Sequence, residues 1–391
     1  MKYYIIAGEA SGDLHGSNLI KQLKEQDTQA DFRCWGGDLM QAAGGHIVRH
    51  YKDLAFMGFV EVLTNLRTIF RNLDFCKQDI LEYRPDALIL IDYPGFNLRI
   101  AKWAHTQRLA GTPTQNAPTP GSQAAPRLRI IYYISPQVWA WKENRVKQIR
   151  ATVDKMLVIL PFEKEFYKKW NYEVEYVGHP LVEVIDGYHA PAGAIPAFEK
   201  PIVALLPGSR KSEIKHIAPR MLEAAGLMHR QRPGLRFILP IAPGMRSLVE
   251  PLVARHAPGV QIDVLEGRSH DALAACDVTL VASGTATLEA ALFKRPMVIT
   301  YVLNWFNAKR MDRMRYQPWV GLPNVLCRDF VVPELLQDKA TPQAMARETI
   351  AWLDDPARCE RVRVRFHELH HLLRRDTVRE SADAIAQVLQ A

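Results

Sequence analysis

Short runs of apolar residues, each about the length of a buried strand, recur along this chain between longer amphipathic stretches. In the first half they are Tyr3 to Ala7, Ala87 to Ile91, Arg129 to Ile134 and Met156 to Leu160. In the second half they are Ile202 to Leu206, Arg236 to Pro240, Val278 to Ala282 and Met297 to Tyr301. A strand without polar alternation must be covered on both faces, and strands separated by helix-length segments pair in parallel through crossovers. The pattern predicts an α/β chain with two open sheets, each with helices on both faces. A length of 391 residues, beyond the size at which one hydrophobic core usually keeps growing, independently favours two domains.

The breakers Gly178, Pro180, Gly187, Pro191, Gly193 and Pro196 crowd the stretch between the two strand series. The expected division is a first domain over 1–177, a linker over 178–201, a second domain over 202–365 and a helical tail over 366–391. The segment 109–126, rich in Pro, Gly, Thr, Gln and Ala, reads as a flexible surface insertion. The five cysteines lie far apart with no Cys-x-x-Cys spacing, which fits free thiols in a reducing compartment. The opening residues pass at once into Glu9 and Asp13, unlike a signal peptide, and no run of about 18 uncharged apolar residues follows. A cytoplasmic chain is expected. Lys and Arg number 50 against 42 Asp and Glu, a formal charge of +8. That excess suits a phosphorylated substrate or an anionic lipid surface; nucleic acid is set aside because no recognition signature accompanies it.

Ligands of open α/β sheets bind beyond the carboxyl ends of strands, so the loops that follow strands carry the chemistry. In Ala7-Gly-Glu-Ala-Ser-Gly-Asp-Leu-His-Gly16 a strand turns through small residues into a helix, with glycines at every fourth position. The spacing matches neither Gly-x-Gly-x-x-Gly nor Walker A; the loop either admits a ligand to the backbone or is a tight turn capped by Ser11 or Asp13. In Leu206-Pro-Gly-Ser-Arg-Lys-Ser-Glu213, Gly208 would let a phosphate press on the main chain at a helix start, and Arg210 adds a fork for diphosphate oxygens. The alternative there is a cap at Ser212 with solvated charges at Arg210 and Lys211. Ser283, Gly284 and Thr285 open a second helix with free amides and hydroxyls. Glu289, one turn on from Thr285, suits a ribose diol unless it merely faces solvent. Asp92 ends a very apolar strand, where burial would raise a carboxyl pKa and suit it to act as a base; capping the turn at Pro94 and Gly95 is the competing role.

Together these segments resemble the lipid-A-disaccharide synthases. The resemblance rests on Gly8-Glu-Ala-Ser-Gly-Asp13, Met57-Gly-Phe-Val-Glu-Val-Leu63, Ser135-Pro-Gln-Val-Trp-Ala-Trp-Lys142 and Leu160-Pro-Phe-Glu-Lys164. It continues in order through Val177-Gly-His-Pro180, Leu205-Leu-Pro-Gly-Ser-Arg210, Ala282-Ser-Gly-Thr-Ala-Thr-Leu-Glu289 and Leu322-Pro-Asn324. It implies a GT-B fold, two Rossmann-like domains facing a cleft, with a C-terminal helix that crosses back to the first domain. The implied reaction joins UDP-2,3-diacylglucosamine to 2,3-diacylglucosamine 1-phosphate (lipid X), with inversion, giving the β-1,6 disaccharide 1-phosphate and UDP. The resemblance also implies a peripheral protein on the inner face of the inner membrane and a homodimer through the C-terminal part.

Carried over position by position, the family's essential Asp falls on Asp92, and its nucleotide-binding Arg, Glu and Asn fall on Arg210, Glu289 and Asn324. Gly208, Ser209, Ser283, Gly284 and Thr285 complete the expected UDP set. Ser11, Gly12, Met57, Phe59, Val60 and Leu63 make the expected acceptor and lipid set. Some members carry a second Asp three residues after the first; Gly95 stands there in this chain, leaving Asp92 as the candidate base with His15 and Glu9 as helpers. No Asp-x-Asp motif occurs, so neither a metal nor another cofactor is required.

Val60, Leu63, Leu66, Phe70 and Leu73 fall at helical spacing beside Arg67 and Arg71, as in an interfacial helix or an ordinary core-facing one. The basic aromatic stretch from Trp305 to Tyr316 strengthens the interfacial reading. His367, His370 and His371 share helical spacing, and a solvated surface is preferred there to a metal site. Competing readings are another GT-B UDP-N-acetylglucosamine transferase, a UDP-sugar epimerase, or a non-catalytic UDP-sugar-binding protein.

Overall fold

A computed structural model of the chain describes residues 1–54, 66–109, 127–191, 201–302 and 317–390. They form two compact units, Met1–Pro180 with Arg375–Ala391, and Leu181–Arg374.

The first unit holds β1 (Lys2–Ala7), β2 (Asp31–Gly36), β3 (His46–His50), β4 (Ala87–Ile91), β5 (Arg129–Tyr133), β6 (Lys155–Val158) and β7 (Glu175–Tyr176). All pair in parallel, in the order β3-β2-β1-β4-β5-β6-β7. Alternate side chains of each central strand feed two separate cores. Tyr4, Ile6, Leu88, Leu90, Ile130 and Tyr132 enter one of them. Tyr3, Ile5, Ala7, Ile89, Ile91 and Ile131 enter the other. This two-sided burial is why β1, β4 and β5 read as unbroken apolar runs. The second core is completed by Leu19, Ile20 and Leu23 of the helix Ala10–Gln26 and by Ala382 and Ile385 of the C-terminal helix Thr377–Gln390. Apolar burial thus gives this last helix its place in the first unit, whereas residues 366–374 of the expected tail belong to the second, and Gln26 Nε2 donates to Asp383 Oδ1 at 2.6 Å.

The second unit holds β8 (Ile202–Leu206), β9 (Arg236–Ile241), β10 (Ile262–Glu266), β11 (Val278–Ala282), β12 (Met297–Tyr301) and β13 (Glu334–Leu336). Its order is β10-β9-β8-β11-β12-β13, again all parallel. Relabelled from its first strand this is 3-2-1-4-5-6, the Rossmann order, and the first sheet is the same winding with one strand more. The two open α/β sheets expected from the apolar runs are present.

The strands missing from the sequence reading lie toward sheet edges, where one-sided cover tolerates polar residues. Every residue of β10 is only half-buried. In β2, Arg33 interrupts the apolar pattern because its guanidinium pairs with the buried Asp79 at 2.5 Å. That carboxylate also accepts from Tyr4 Oη at 2.6 Å, and Tyr4 Oη accepts from Trp35 Nε1 at 2.8 Å.

Glu163 is an acid inside this fold. It is 1% exposed, its Oε2 accepts from Leu160 N at 3.0 Å, and burial pushes its pKa up to about 8. The folded chain therefore holds a proton there that the unfolded chain releases near pH 4.5, so stability from this group falls as pH rises toward 8. Burial pushes His15 and His179 the other way, to about 4 and about 3, so their contribution is complete above about pH 6.5. Thermal unfolding at pH 6.5 and 8.5 should show Glu163→Gln gaining on the wild type at the higher pH. Parallel pH profiles for the two proteins would refute the assignment.

Candidate active site

Crossovers leave β1 and β4 toward opposite sides of the first sheet, and β8 and β11 toward opposite sides of the second. Such switch points leave a crevice at the carboxyl ends of the diverging strands. The four loops singled out by sequence are the loops at these two switch points.

After β1, Glu9 takes the N-cap position of the helix Ala10–Gln26 with no side-chain cap bond. Ser11 is exposed, whereas Gly12 is buried. The glycine spacing answers to packing: a Cβ at Gly12 would lie 3.0 Å from Ala7 Cβ, and one at Gly16 would lie 2.8 Å from Met40 Sδ. A Cβ at Gly8 would lie 2.4 Å from the Tyr93 ring. Asp13 does not cap its own helix. Its buried carboxylate accepts from Gly37 N at 2.7 Å, Met40 N at 3.0 Å and Leu39 N at 3.1 Å, so it caps the helix Asp38–Ala42 instead. His15 is buried and held neutral, with no partner for Nδ1.

After β4, Asp92 and Tyr93 both adopt left-handed backbone, with φ of +42° and +46°. The Asp92 carbonyl accepts from Asn97 Nδ2 at 2.8 Å and Tyr132 Oη at 2.6 Å, and its amide donates to Tyr133 O at 3.2 Å. The buried Asn97 also donates to Ile91 O at 3.2 Å, which ties the loop to the strand end. Around Gly95 a Cβ would meet nothing within 4 Å, so the position lacking the second carboxylate is open space.

After β8, Gly208 has φ +104°, and Arg210 is the N-cap of the helix Lys211–Gln231. The cap comes from Glu213 and not from Ser212: its Oε2 accepts from Ser209 N at 3.2 Å and Arg210 N at 3.3 Å, and its Oε1 pairs with the Arg210 guanidinium at 3.3 Å. After β11, Gly284, with φ +149°, is the N-cap of Thr285–Leu292, and among the described residues no side chain caps that helix. Ser283 Oγ donates to Val320 O at 3.4 Å. Glu289 Oε1 lies 3.3 Å from His270 Nε2. Asn324 is fully buried; its Nδ2 donates to Val332 O and to Glu334 Oε1, both at 2.9 Å. Glu334 in turn accepts from Val320 N at 3.0 Å and Gly321 N at 2.9 Å, so Asn324 braces the segment on which Ser283 rests.

A profile of the family described as lipid-A-disaccharide synthetase matches residues 3–114 and 121–389. The chain belongs to the lipid-A-disaccharide synthetase family. The lipid-A-disaccharide synthase of Albidiferax ferrireducens is 42% identical over 99% of this chain and 97% of its own length. That of Thiobacillus denitrificans is 42% identical over 99% of this chain and 100% of its own length. Among solved structures, the UDP-GlcNAc 2-epimerase of Neisseria meningitidis bound to UDP-GlcNAc is similar with a TM-score of 0.64, 10% identity and full coverage of both chains, 100% each. A glycosyltransferase of kitacinnamycin gives 0.60 at 14% identity over 99% of this chain and 98% of its own. At such identities the likeness is one of fold, the GT-B architecture of two Rossmann-like domains. Among the described residues no helix is long and apolar enough to cross a membrane.

Of the acceptor and lipid set that the lipid-A-disaccharide synthetase resemblance supplied, Met57, Phe59, Val60 and Leu63 lie outside the described residues, as does the stretch from Trp305 to Tyr316. Phe70 and Leu73 do not share a face: Leu73 is buried, while Phe70 is 58% exposed beside exposed Arg67 and Arg71. His370 faces inward and pairs with Asp186 at 2.9 Å, whereas His367 and His371 are exposed. Asn97, His270 and Glu334 escaped the sequence reading. Asn97 lies within the helix Pro94–Leu109, His270 on the helix Ser269–Ala275 that follows β10, and Glu334 opens β13; neither of those two strands has an apolar signature. Replacing Asp13 by Ala strands three amides at the start of Asp38–Ala42. Unfolding free energy should drop by ~2 kcal/mol, measured by denaturant titration; an unchanged midpoint would mean the cap is idle.

Proposed function

We propose that this chain transfers 2,3-diacylglucosamine from UDP to the 6-hydroxyl of 2,3-diacylglucosamine 1-phosphate, with inversion, forming the β-1,6 lipid A disaccharide 1-phosphate and UDP. The observation that carries this reading is the near end-to-end family match, with family motifs on the switch-point loops of both sheets. Inverting displacement needs a base on the attacking hydroxyl and compensation for charge gained by the leaving diphosphate. Asp92 takes the proton. Glu9 from the loop after β1 and His15 from the helix Ala10–Gln26 assist it; His15, neutral and with no partner for Nδ1 among the described residues, offers a hydrogen bond but no charge. Ser11 and Gly12, with Met57, Phe59, Val60 and Leu63, receive the acylated acceptor.

In the second unit Arg210 and the amides and hydroxyls of Gly208, Ser209, Ser283, Gly284 and Thr285 stabilise the diphosphate, and Glu289 accepts the ribose hydroxyls. Asn324 acts indirectly, through Glu334 and Val320, on the Ser283 loop. Removing a positioned base typically costs ~10²–10⁴-fold in rate. Asp92→Asn should lose kcat by about that factor while UDP affinity changes less than about twofold, whereas Arg210→Ala should weaken UDP binding by about tenfold. The assay is UDP release with acylated and non-acylated sugars. Turnover of non-acylated substrates alone, or full activity in Asp92→Asn, would end this reading.

The same reading puts the chain on the anionic inner face of the inner membrane, as a peripheral protein whose copies pair through their C-terminal parts. An exposed Phe70 between Arg67 and Arg71 supports it, since an apolar ring between cations suits an anionic interface. Phe70→Ser should reduce binding to vesicles containing anionic lipid by roughly tenfold. Equal sedimentation with vesicles of both proteins removes this helix from the membrane surface.

A further inference from the structure

Glu289 is the one charged residue of the helix Thr285–Leu292, and its carboxylate meets an unforeseen partner. His270 reaches it from the helix Ser269–Ala275, which follows the edge strand β10, with Nε2 at 3.3 Å from Oε1. Both side chains are mostly covered, 25% exposed for His270 and 18% for Glu289.

The histidine is itself held in place. Its ring meets Tyr188 edge-on at 5.7 Å and Phe293 at 5.5 Å, and those two rings pack edge-on against each other at 5.5 Å. The neighbouring Asp271 accepts from the Tyr188 hydroxyl and, at 2.6 Å, from Arg268 Nε. Segments far apart in sequence therefore fix one imidazole against one carboxylate.

We infer that His270 is a positioning residue of the nucleotide site: it holds one oxygen of Glu289 so that the remaining lone pairs of the carboxylate face the hydroxyls of the donor nucleotide. This rests on the ribose-binding role proposed for Glu289. An ionised carboxylate offers about four lone-pair sites on two oxygens. One bond to an imidazolium leaves enough acceptors for a vicinal diol and removes the rotational freedom that an unheld Glu side chain would lose on binding.

The charged and titratable groups facing His270 are Glu289 on the helix Thr285–Leu292, Asp271 on its own helix with its partner Arg268, and Tyr188 from the connecting segment. The bond from Glu289 raises the His270 pKa against the opposing effect of burial, with Asp271 adding to the rise. The imidazolium holds Glu289 more strongly than the neutral ring with its proton on Nε2, so the hold weakens as pH rises through that pKa.

The probe is UDP itself, titrated calorimetrically into wild type, His270→Ala, His270→Gln, Glu289→Gln and the double variant His270→Ala with Glu289→Gln, from pH 6 to 8.5. His270→Ala should weaken UDP binding by about fivefold at pH 6.5, a partly exposed charge-assisted bond being lost. It should have no further effect in the Glu289→Gln background. His270→Gln keeps a donor without titrating, so it should recover part of the affinity and bind with a flatter pH profile than wild type. Unchanged or tighter UDP binding by His270→Ala, with Glu289→Gln weakened, overturns the inference while leaving the role of Glu289 intact. So do additive effects in the double variant. Unchanged binding by Glu289→Gln overturns both. Melting temperatures of all variants identify any loss due to unfolding, and His270→Gln then serves as the deciding protein.

Discussion

Parallel strands covered on both faces can do chemistry only at their ends, and that constraint governs both sheets. In β1, Tyr4 and Ile6 are spent on one core and Tyr3, Ile5 and Ala7 on the other. The backbone of β1 is engaged by β2 on one side and β4 on the other. Nothing along such a strand is left to touch a ligand. Free amides, free carbonyls and reachable side chains reappear only where the chain leaves the strand, and crossovers that diverge leave that place uncovered. The carboxyl ends of β1, β4, β8 and β11 are where Glu9, Asp92, Arg210 and Thr285 stand because the sheets leave chemistry no other address.

At those ends the decisive question is which exposed amides already have an anion. In the first unit, Asp13 satisfies the start of Asp38–Ala42. In the second, Glu213 lies over the amides of Ser209 and Arg210, and Glu334 over those of Val320 and Gly321. Among the described residues no side chain is seen to accept from the start of Thr285–Leu292, whose N-cap is Gly284. A helix start without an internal carboxylate carries an unanswered positive dipole end. This favours Gly284 and Thr285 as the principal amide cradle of the proposed diphosphate site. Arg210, anchored at the mouth of the other loop by Glu213, contributes its guanidinium.

The central strands were legible because two-sided burial writes itself as an apolar run; β8 and β11 match their sequence ranges, Ile202–Leu206 and Val278–Ala282. Edge strands were not, because β10 is half-buried throughout and β13 spans only three residues. The loops were found through strand ends and small residues, while the work of their side chains was not. The glycine spacing at Gly12 and Gly16 fitted either ligand access or a tight turn, and Ala7 and Met40 pack closely against those two positions. Asp13 looked like a cap for the helix that contains it and caps another. Asn324 looked like a nucleotide contact and is a buried brace. Spacing reports which residues share a face, but a partner distant in sequence, such as His270 for Glu289, leaves no periodic trace.

The loop after β4 shows how a fold can hold a proposed base without adding a second carboxylate. Left-handed backbone at a non-glycine residue costs about 1–2 kcal/mol, and Asp92 and Tyr93 bear that cost in succession. Hydrogen bonds from Asn97 and Tyr132 to the Asp92 carbonyl, each worth about 1 kcal/mol, offset much of it. The Tyr93 ring adds packing over Gly8, where even a methyl group would collide. That contact packs the loop after β4 directly against the loop after β1. Three hydrogen bonds, through Tyr133 as well as Asn97 and Tyr132, fix the Asp92 backbone. If Asp92 is the base proposed above, its fixed backbone orients it without a neighbouring carboxylate, and Gly95 leaves open space where a second one would stand.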